Sequence, residues 1–266
     1  MKFQDVFKSK KPLIACIHLL PLPGSPLYDG SMARIYDQAL EEAAIFKKYG
    51  VDGLIVENFR DKPFYPGRVP AETVASFSAV ARELVKQASV PVGINVLRND
   101  AESAIAIAVA TGAQFIRVNV HMGAIVSDQG IIQGSSHLTL RLRAALRSDV
   151  LIFGDVGVKH AAPLVDRGLA TETQDLTERG LVDAIIVSGE RTGAETKLDD
   201  LELVRRNTSL PLLIGSGATP ENLSRVYSKV DGLIVGSSFK KDGKADHVVD
   251  ETRVKVFTES LATLKR

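Results

Sequence analysis

Short runs of apolar, largely β-branched residues alternate along the chain with longer segments in which apolar residues recur every three or four positions. The runs of the first half are PLIACIH from Pro12, DGLIVEN from Asp52, PVGINVL from Pro91 and QFIRVNV from Gln114. VLIFGDV from Val150, DAIIVSG from Asp183, LPLLIGSG from Leu210 and DGLIVGSS from Asp231 complete the set. Near-continuous apolar runs of this length read as strands buried on both faces. Between them Ile35, Ala39, Ala43 and Phe46 share one helix face, as do Val74, Phe77, Ala81 and Leu84. Leu223, Val226 and Val230 form a third such stripe, and Val254, Phe257, Leu261 and Leu264 a fourth. Turns such as YGVDG, TGAQF and RGLVDA place a glycine where a helix ends, ready for the left-handed conformation. Eight βα units predict an α/β fold, a single (β/α)8 TIM barrel over residues 1–266. No Pro/Gly/Ser-rich linker divides the halves. A doubly wound open sheet would announce itself by G-x-G-x-x-G after the first strand, and HLLPLPGSP follows instead.

Composition narrows the setting. With 45% hydrophobic and 24% charged residues the chain has enough apolar content for a full core, which excludes disorder. A net charge of +1 without a basic stripe argues against a nucleic-acid partner. The one cysteine, Cys16, allows no intramolecular disulfide and fits a reducing compartment. The apolar stretch near the start is too short for a signal peptide, and no run approaches the roughly 20 apolar residues of a membrane span. A cytoplasmic protein is therefore expected, and a symmetric homo-oligomer is one candidate state, the oligomeric state being left open by the sequence.

In a TIM barrel the chemistry gathers at the C-terminal strand ends. The polar residues do concentrate there: His18, Glu57 with Asn58, Asn95, Arg117 with Asn119, Asp155 and Ser188. Arg117 and Asn119, two apart, must face the same way. An acid at the end of an apolar strand is costly to bury unless paired, so Glu57 and Asp155 are candidates both for an ion pair with Arg117 and for proton transfer. After the third strand come Arg98, which fits either an anionic substrate or one of those carboxylates, and Asp100, a helix N-cap. The segment FGDVGVKHAAP adds Lys159 and His160 to Asp155, a density of proton-transfer groups that suits general acid/base work. His18, Glu57 and Asp155 leave room for a divalent metal, but no H-x-H or H-E-x-x-H spacing supports one, and no cofactor is implied.

The last two strands end in glycine. GSG (Gly215, Ser216, Gly217) runs into ATPEN, where Thr219 reads as an N-cap and Pro220 as the first helical residue. GSS (Gly236, Ser237, Ser238) follows the eighth strand and leads into a short basic segment. Paired glycine loops in these two units are the usual phosphate site of the fold, because backbone N–H groups converge there on the anion. The loop SGERTG brings Thr192 and Gly193 towards the same anion. The long loops PLPGSPLYDG and FRDKPFYPGRVP, with Tyr28, Phe64 and Tyr65, read as lids or an interface over the barrel mouth.

Together HLLPLPGSPLYDG, DGLIVENFRDKPF, GINVLRNDAESAIAIA, FIRVNVHMGAIVSDQGII, GDVGVKHAAP, SGERTG, LIGSGATPENL and DGLIVGSSFKKDG resemble the BtpA/SgcQ family from about residue 12 to the last helix. The resemblance implies a TIM barrel of the ribulose-phosphate-binding type. One family name refers to photosystem I accumulation in cyanobacteria and the other to a bacterial sugar-utilisation cluster. Members also occur in organisms that do not photosynthesise, which implies a general metabolic enzyme more than a dedicated photosystem I biogenesis factor.

The expectation is thus an enzyme, an isomerase, lyase or hydrolase, acting on a small phosphorylated sugar or nucleotide-like substrate. Gly215, Ser216, Gly217, Gly236, Ser237 and Ser238 would hold the phosphate. Glu57, Asp155, Lys159, Arg117 and His18 would carry the chemistry. Asn95, Arg98, Asn119, Ser188, Thr192 and Gly193 would bind the rest of the substrate. A non-enzymatic assembly factor, peripheral to a membrane, and a metabolite-sensing barrel are the alternatives.

Overall fold

The computed structural model describes residues 1–158, 160–189 and 195–265. In chain order a one-turn helix α1 (Phe3–Val6) leads to β1 (Leu13–His18), α2 (Met32–Lys48), β2 (Gly53–Glu57), α3 (Ala71–Gln87), β3 (Val92–Asn95), α4 (Ala101–Thr111) and β4 (Phe115–Val118). A hairpin of β5 (Ala124–Ser127) and β6 (Gly130–Gln133) precedes α5 (Ser136–Ala145) and β7 (Leu151–Val156). Then come β8 (Ala161–Pro163), α6 (Leu169–Glu178), β9 (Ala184–Val187), α7 (Leu198–Arg206), β10 (Leu212–Ile214), α8 (Leu223–Val226), β11 (Gly232–Val235) and α9 (Glu251–Leu264).

β1, β2, β3, β4, β7, β9, β10 and β11 pair in parallel in that order, and β11 returns to β1 to close an eight-stranded barrel. These are the eight strands expected from the apolar runs. Every position of β1, β2, β3, β4, β7, β9, β10 and β11 is buried, one side against the helices and the other against the barrel interior. That double burial explains why the runs are apolar throughout and not alternating.

The helices end much as their turns foretell. Gly50 and Gly112 take positive φ, 67° and 85°. In RGLVDA it is Leu181, at φ 49°, that turns the chain, and not Gly180. Asp100 caps α4 by accepting from Ser103 N at 2.9 Å, as expected. After β10 the expected cap at Thr219 is displaced: α8 starts only at Leu223, with Asn222 at its N-cap. The Asn222 side chain accepts from Thr219 N and donates to the Gly217 carbonyl, so residues 219–222 form a turn before the helix and Pro220 lies outside it.

Two features were not foreseen. β5 and β6 join through Asp128 and Gln129 and pair with β8 in a small antiparallel sheet of order β6-β5-β8 beside the barrel mouth. Lys240, in the short basic segment after the eighth barrel strand, is fully buried and donates to Glu42 Oε2 at 2.7 Å, while Glu42 Oε1 accepts from Val249 N. Burial pushes the Lys240 pKa down, opposed by the Glu42 charge. The pair pins both ends of the 241–248 segment to α2.

The barrel floor is aromatic. Phe3 and Phe7, at the ends of α1, pack with Ile14, Ile55, Phe115 and Phe153 in one buried cluster. Phe153 stacks on Phe115 with centroids 4.7 Å apart and stands 5.7 Å from Phe3. Phe153→Ala opens a cavity in this cluster and is expected to lower unfolding free energy by about 3–5 kcal/mol in urea titrations. Val256→Ala on the exposed face of α9 should change it by less than about 0.5 kcal/mol.

Candidate functional site

Above the aromatic floor the inward-facing positions turn polar. Strand register sets His18 beside Glu57 and Glu57 beside Asn95, and Arg117 beside Phe153. His18, Glu57, Asn95, Arg117, Asn119 and Asp155 are all at least nine-tenths buried. Arg117 and Asn119 do share the inward face, and both reach Asp155. Arg117 donates from Nε to Asp155 Oδ1 at 2.9 Å and from Nη2 to Oδ2 at 2.7 Å, a bidentate pair. Asn119 Nδ2 donates to the same Oδ2 at 3.0 Å. Ser188 Oγ accepts from Arg117 Nη2 at 3.4 Å. Burial works against the Arg117 charge, but Asp155 and, more distantly, Glu57 more than offset it and hold its pKa above the ordinary value. The close, bidentate partnership therefore falls to Asp155, with Glu57 a more distant second partner of Arg117.

Glu57 is held differently. Its Oε1 accepts from Asn95 Nδ2 at 3.0 Å and stands 3.7 Å from Arg117 Nη1. Its Oε2 faces His18 Nε2 at 3.7 Å. His18 Nδ1 donates to the Ala245 carbonyl at 2.9 Å, and the ring stacks on Phe59 with centroids 4.3 Å apart. Because a carbonyl only accepts, Nδ1 carries a proton.

A cavity of about 1020 Å³ opens over these groups. Glu57, Asn95, Arg98, Arg117 and Asn119 line its base, and Phe59, Lys62, Phe64 and residues 243–247 wall it, with His160 also in the lining. Arg98 is buried, which pushes its pKa down, while the charges of Asp155 and Glu57 act in its favour. The long loop after β2 thus closes one side of the mouth, and the 241–248 segment closes another. Lys62 Nζ bridges them to Asp246 at 2.8 Å, and Arg60 donates to the His247 carbonyl. Phe64 lines the cavity, whereas Tyr28 packs on the core and Tyr65 is exposed. The roles of Phe59, Lys62 and 243–247 were missed, although FRDKPF and KKDGKADH carry the aromatic and charged residues concerned.

The glycine loops meet at the edge of this cavity, with Gly215, Ser216, Gly217, Gly236, Ser237 and Ser238 around a space of about 20 Å³. That is room for a water, not for a phosphate. His18 and Phe59 occupy its rim. Two of the glycines have a packing reason: a Cβ on Gly215 would fall 2.4 Å from Ile186 and 3.0 Å from Arg117 Nη2, and one on Gly236 would fall 3.3 Å from His18. Gly217 turns the chain at φ 77°. Among the described residues nothing accepts from the N–H groups of Ser216 or Gly217, and Ser216 Oγ is buried without a partner. Lys159, Thr192 and Gly193 lie outside the described residues.

Among the described residues no group of three His, Cys, Asp or Glu side chains is placed to hold a metal ion. Asp155 turns to Arg117 and not towards His18 and Glu57. No helix among them is long and apolar enough to cross a membrane.

The model of the BtpA family matches residues 9–263. The chain belongs to the BtpA family. It is 44% identical to the photosystem I biogenesis protein BtpA of Synechocystis over 263 residues, covering 98% of this chain and 92% of that protein. It is 43% identical to an uncharacterised protein of Pyrococcus furiosus over 253 residues, covering 95% of each chain. Among solved structures, N-(5′-phosphoribosyl)anthranilate isomerase from Pyrococcus furiosus superposes with a TM-score of 0.58 at 16% identity, covering 95% of this chain and 99% of that one. At that identity the BtpA-family chain shares its fold with the isomerase.

One buried histidine just beyond the site contributes to acid sensitivity. His121 Nε2 donates to the Gly180 carbonyl at 2.8 Å, and among the described residues Nδ1 has no partner. Burial pushes its pKa below the usual 6.5. Below about pH 6.5 the unfolded chain takes up a proton that the folded one refuses, so stability must fall as pH falls, by at most about 1.4 kcal/mol per pH unit. Urea unfolding at about pH 7.5 and about pH 5.5 should show that loss, and His121→Gln, which keeps a donor for Gly180, should remove His121's share of it.

Proposed function

We propose that the protein is an enzyme, working as one catalytic domain on a small phosphorylated sugar or nucleotide-like substrate. The observation that carries this reading is the placement of Glu57. It lines both the large cavity and the space between the glycine loops, beside His18 and with Asn95 and Arg117 on its other oxygen. A carboxylate and an imidazole next to an anion-binding cradle are suited to moving a proton on a phosphate-bearing substrate. In this reading Glu57 and His18 handle the proton. Arg117 holds Asp155 in place and contributes charge, while Asn95 and Arg98 orient the substrate.

The N–H groups of the two glycine loops bind the phosphate once Phe59 and the His18 ring move aside. Isomerase, lyase and hydrolase chemistry all suit the geometry. The enzyme works in the cytoplasm as a homo-oligomer, with no nucleic-acid partner.

Inorganic phosphate or ribose 5-phosphate is expected to raise the melting temperature of the full chain, as any ligand that binds only the folded state must. Glu57→Gln should keep that shift and lower turnover of the substrate by about 10²- to 10⁴-fold. If no phosphorylated metabolite shifts the melting temperature and soaked crystals hold no anion at the loops, the reading fails. A second reading, a non-enzymatic assembly factor, is favoured by the name of the Synechocystis relative. A cellular phenotype that survives both Glu57→Gln and Asp155→Asn, with the fold intact, would select it.

A further inference from the structure

A second cavity of about 770 Å³ opens from the other side of the same core. It lies between the small antiparallel sheet and the ends of β7 and β9, and Asn119, Asp155 and Ser188 form its inner wall. Asn119 lines both cavities, which are therefore neighbours at this residue. Their linings differ. The first carries Lys62, Arg98, Arg117 and Lys244 against Glu57, Asp128 and Asp246. The second is walled by aliphatic side chains, Val120, Ile125, Val158, Leu169 and Leu176 among them.

The charge of this second cavity leans negative. Three of its acids are already paired: Asp155 with Arg117, Asp175 with Arg167 and Glu195 with Arg225. Asp166, Glu172 and Asp200 add negative charge, against Lys197 among the described residues. An anionic group belongs on the first side and is disfavoured on the second.

Asn119 supplies the independent observation. Its Nδ2 donates to Asp155 Oδ2, and since a carboxylate paired with arginine accepts only, the orientation of the amide is fixed. The remaining oxygen, Oδ1, is then an acceptor, and it is buried without a partner. A buried acceptor left unmade is costly, so a donor from outside the chain completes it.

Resting on the reading that the site takes a small phosphorylated molecule, we propose that this annex is a second substrate subsite, for a neutral or cationic ring that carries an N–H donor. The ring lies between the aliphatic walls and donates to Asn119 Oδ1, while the phosphate-bearing end lies across the Asn119 boundary towards the glycine loops. The substrate class is thereby narrowed from sugar phosphates in general to a phosphorylated compound bearing an amino-substituted or N–H heterocycle. A phosphorylated sugar alone offers hydroxyls to Asn119 Oδ1 but leaves the aliphatic walls of the annex uncovered.

Three probes test this on the full chain by calorimetry: adenine as a donor-bearing ring, benzoate as an anionic ring, and inorganic phosphate. Adenine is expected to bind at least about tenfold tighter than benzoate, and to bind alongside phosphate without displacing it. Leu169→Trp and Val158→Phe, which fill the annex, should abolish adenine binding and leave phosphate binding unchanged, with circular dichroism confirming that each variant is folded. Asn119→Ala should weaken adenine roughly three- to tenfold, the share of one hydrogen bond. Adenine that fails to bind, binds no better than benzoate, or binds equally well to both filled variants overturns the annex whatever phosphate does. Adenine that binds as expected while phosphate does not leaves the annex standing and overturns the phosphorylated-substrate reading.

Discussion

The bidentate pair of Arg117 and Asp155 is the constraint around which the mouth of the barrel is arranged. Two opposite charges buried at this depth hold one another in place, since removing either would leave the other poorly compensated. Their geometry then dictates the neighbours. Ser188 turns its hydroxyl to the guanidinium, Asn119 turns its amide to the carboxylate, and position 215 must be glycine because the guanidinium and Ile186 lie against it. With Asp155 committed in this way, Glu57 is left as the carboxylate with an imidazole neighbour, His18 Nε2 at 3.7 Å from its Oε2.

The loops over the mouth are held with unequal strength. Lys62 with Asp246 is a partly exposed pair, of a kind worth at most about 1 kcal/mol. Lys240 with Glu42 is fully enclosed and cannot open without leaving a charge stranded. The 241–248 segment therefore has a firm stem and a lightly held tip. His18 senses that tip directly through the Ala245 carbonyl, and so couples the cover to the group beside Glu57.

Much of the barrel was legible because burial on both faces writes each strand as an apolar run, and the change to polar residues at its end marks the mouth. The shared face of Arg117 and Asn119 followed from strand parity alone. Other features depend on contacts that no local pattern carries. β5 and β6 are four residues each, and three of the four positions in β6 are exposed, so they leave little apolar signature. Lys240 stands beside a second lysine and reads as surface, yet its partner is 198 positions away. The glycines were read as a phosphate signature, whereas Gly215 and Gly236 also answer to side chains pressing on them from within the barrel. A residue type with two sufficient causes does not reveal which one acts.

The aromatic floor has a bearing on traffic. With Phe3 and Phe7 seated against Phe115 and Phe153, the shaft is sealed at the bottom, and the buried polar groups are reached only from above. A base plugged in this way rules out passage along the barrel axis, so the two cavities above the strand ends are the openings through which solvent reaches the buried carboxylates.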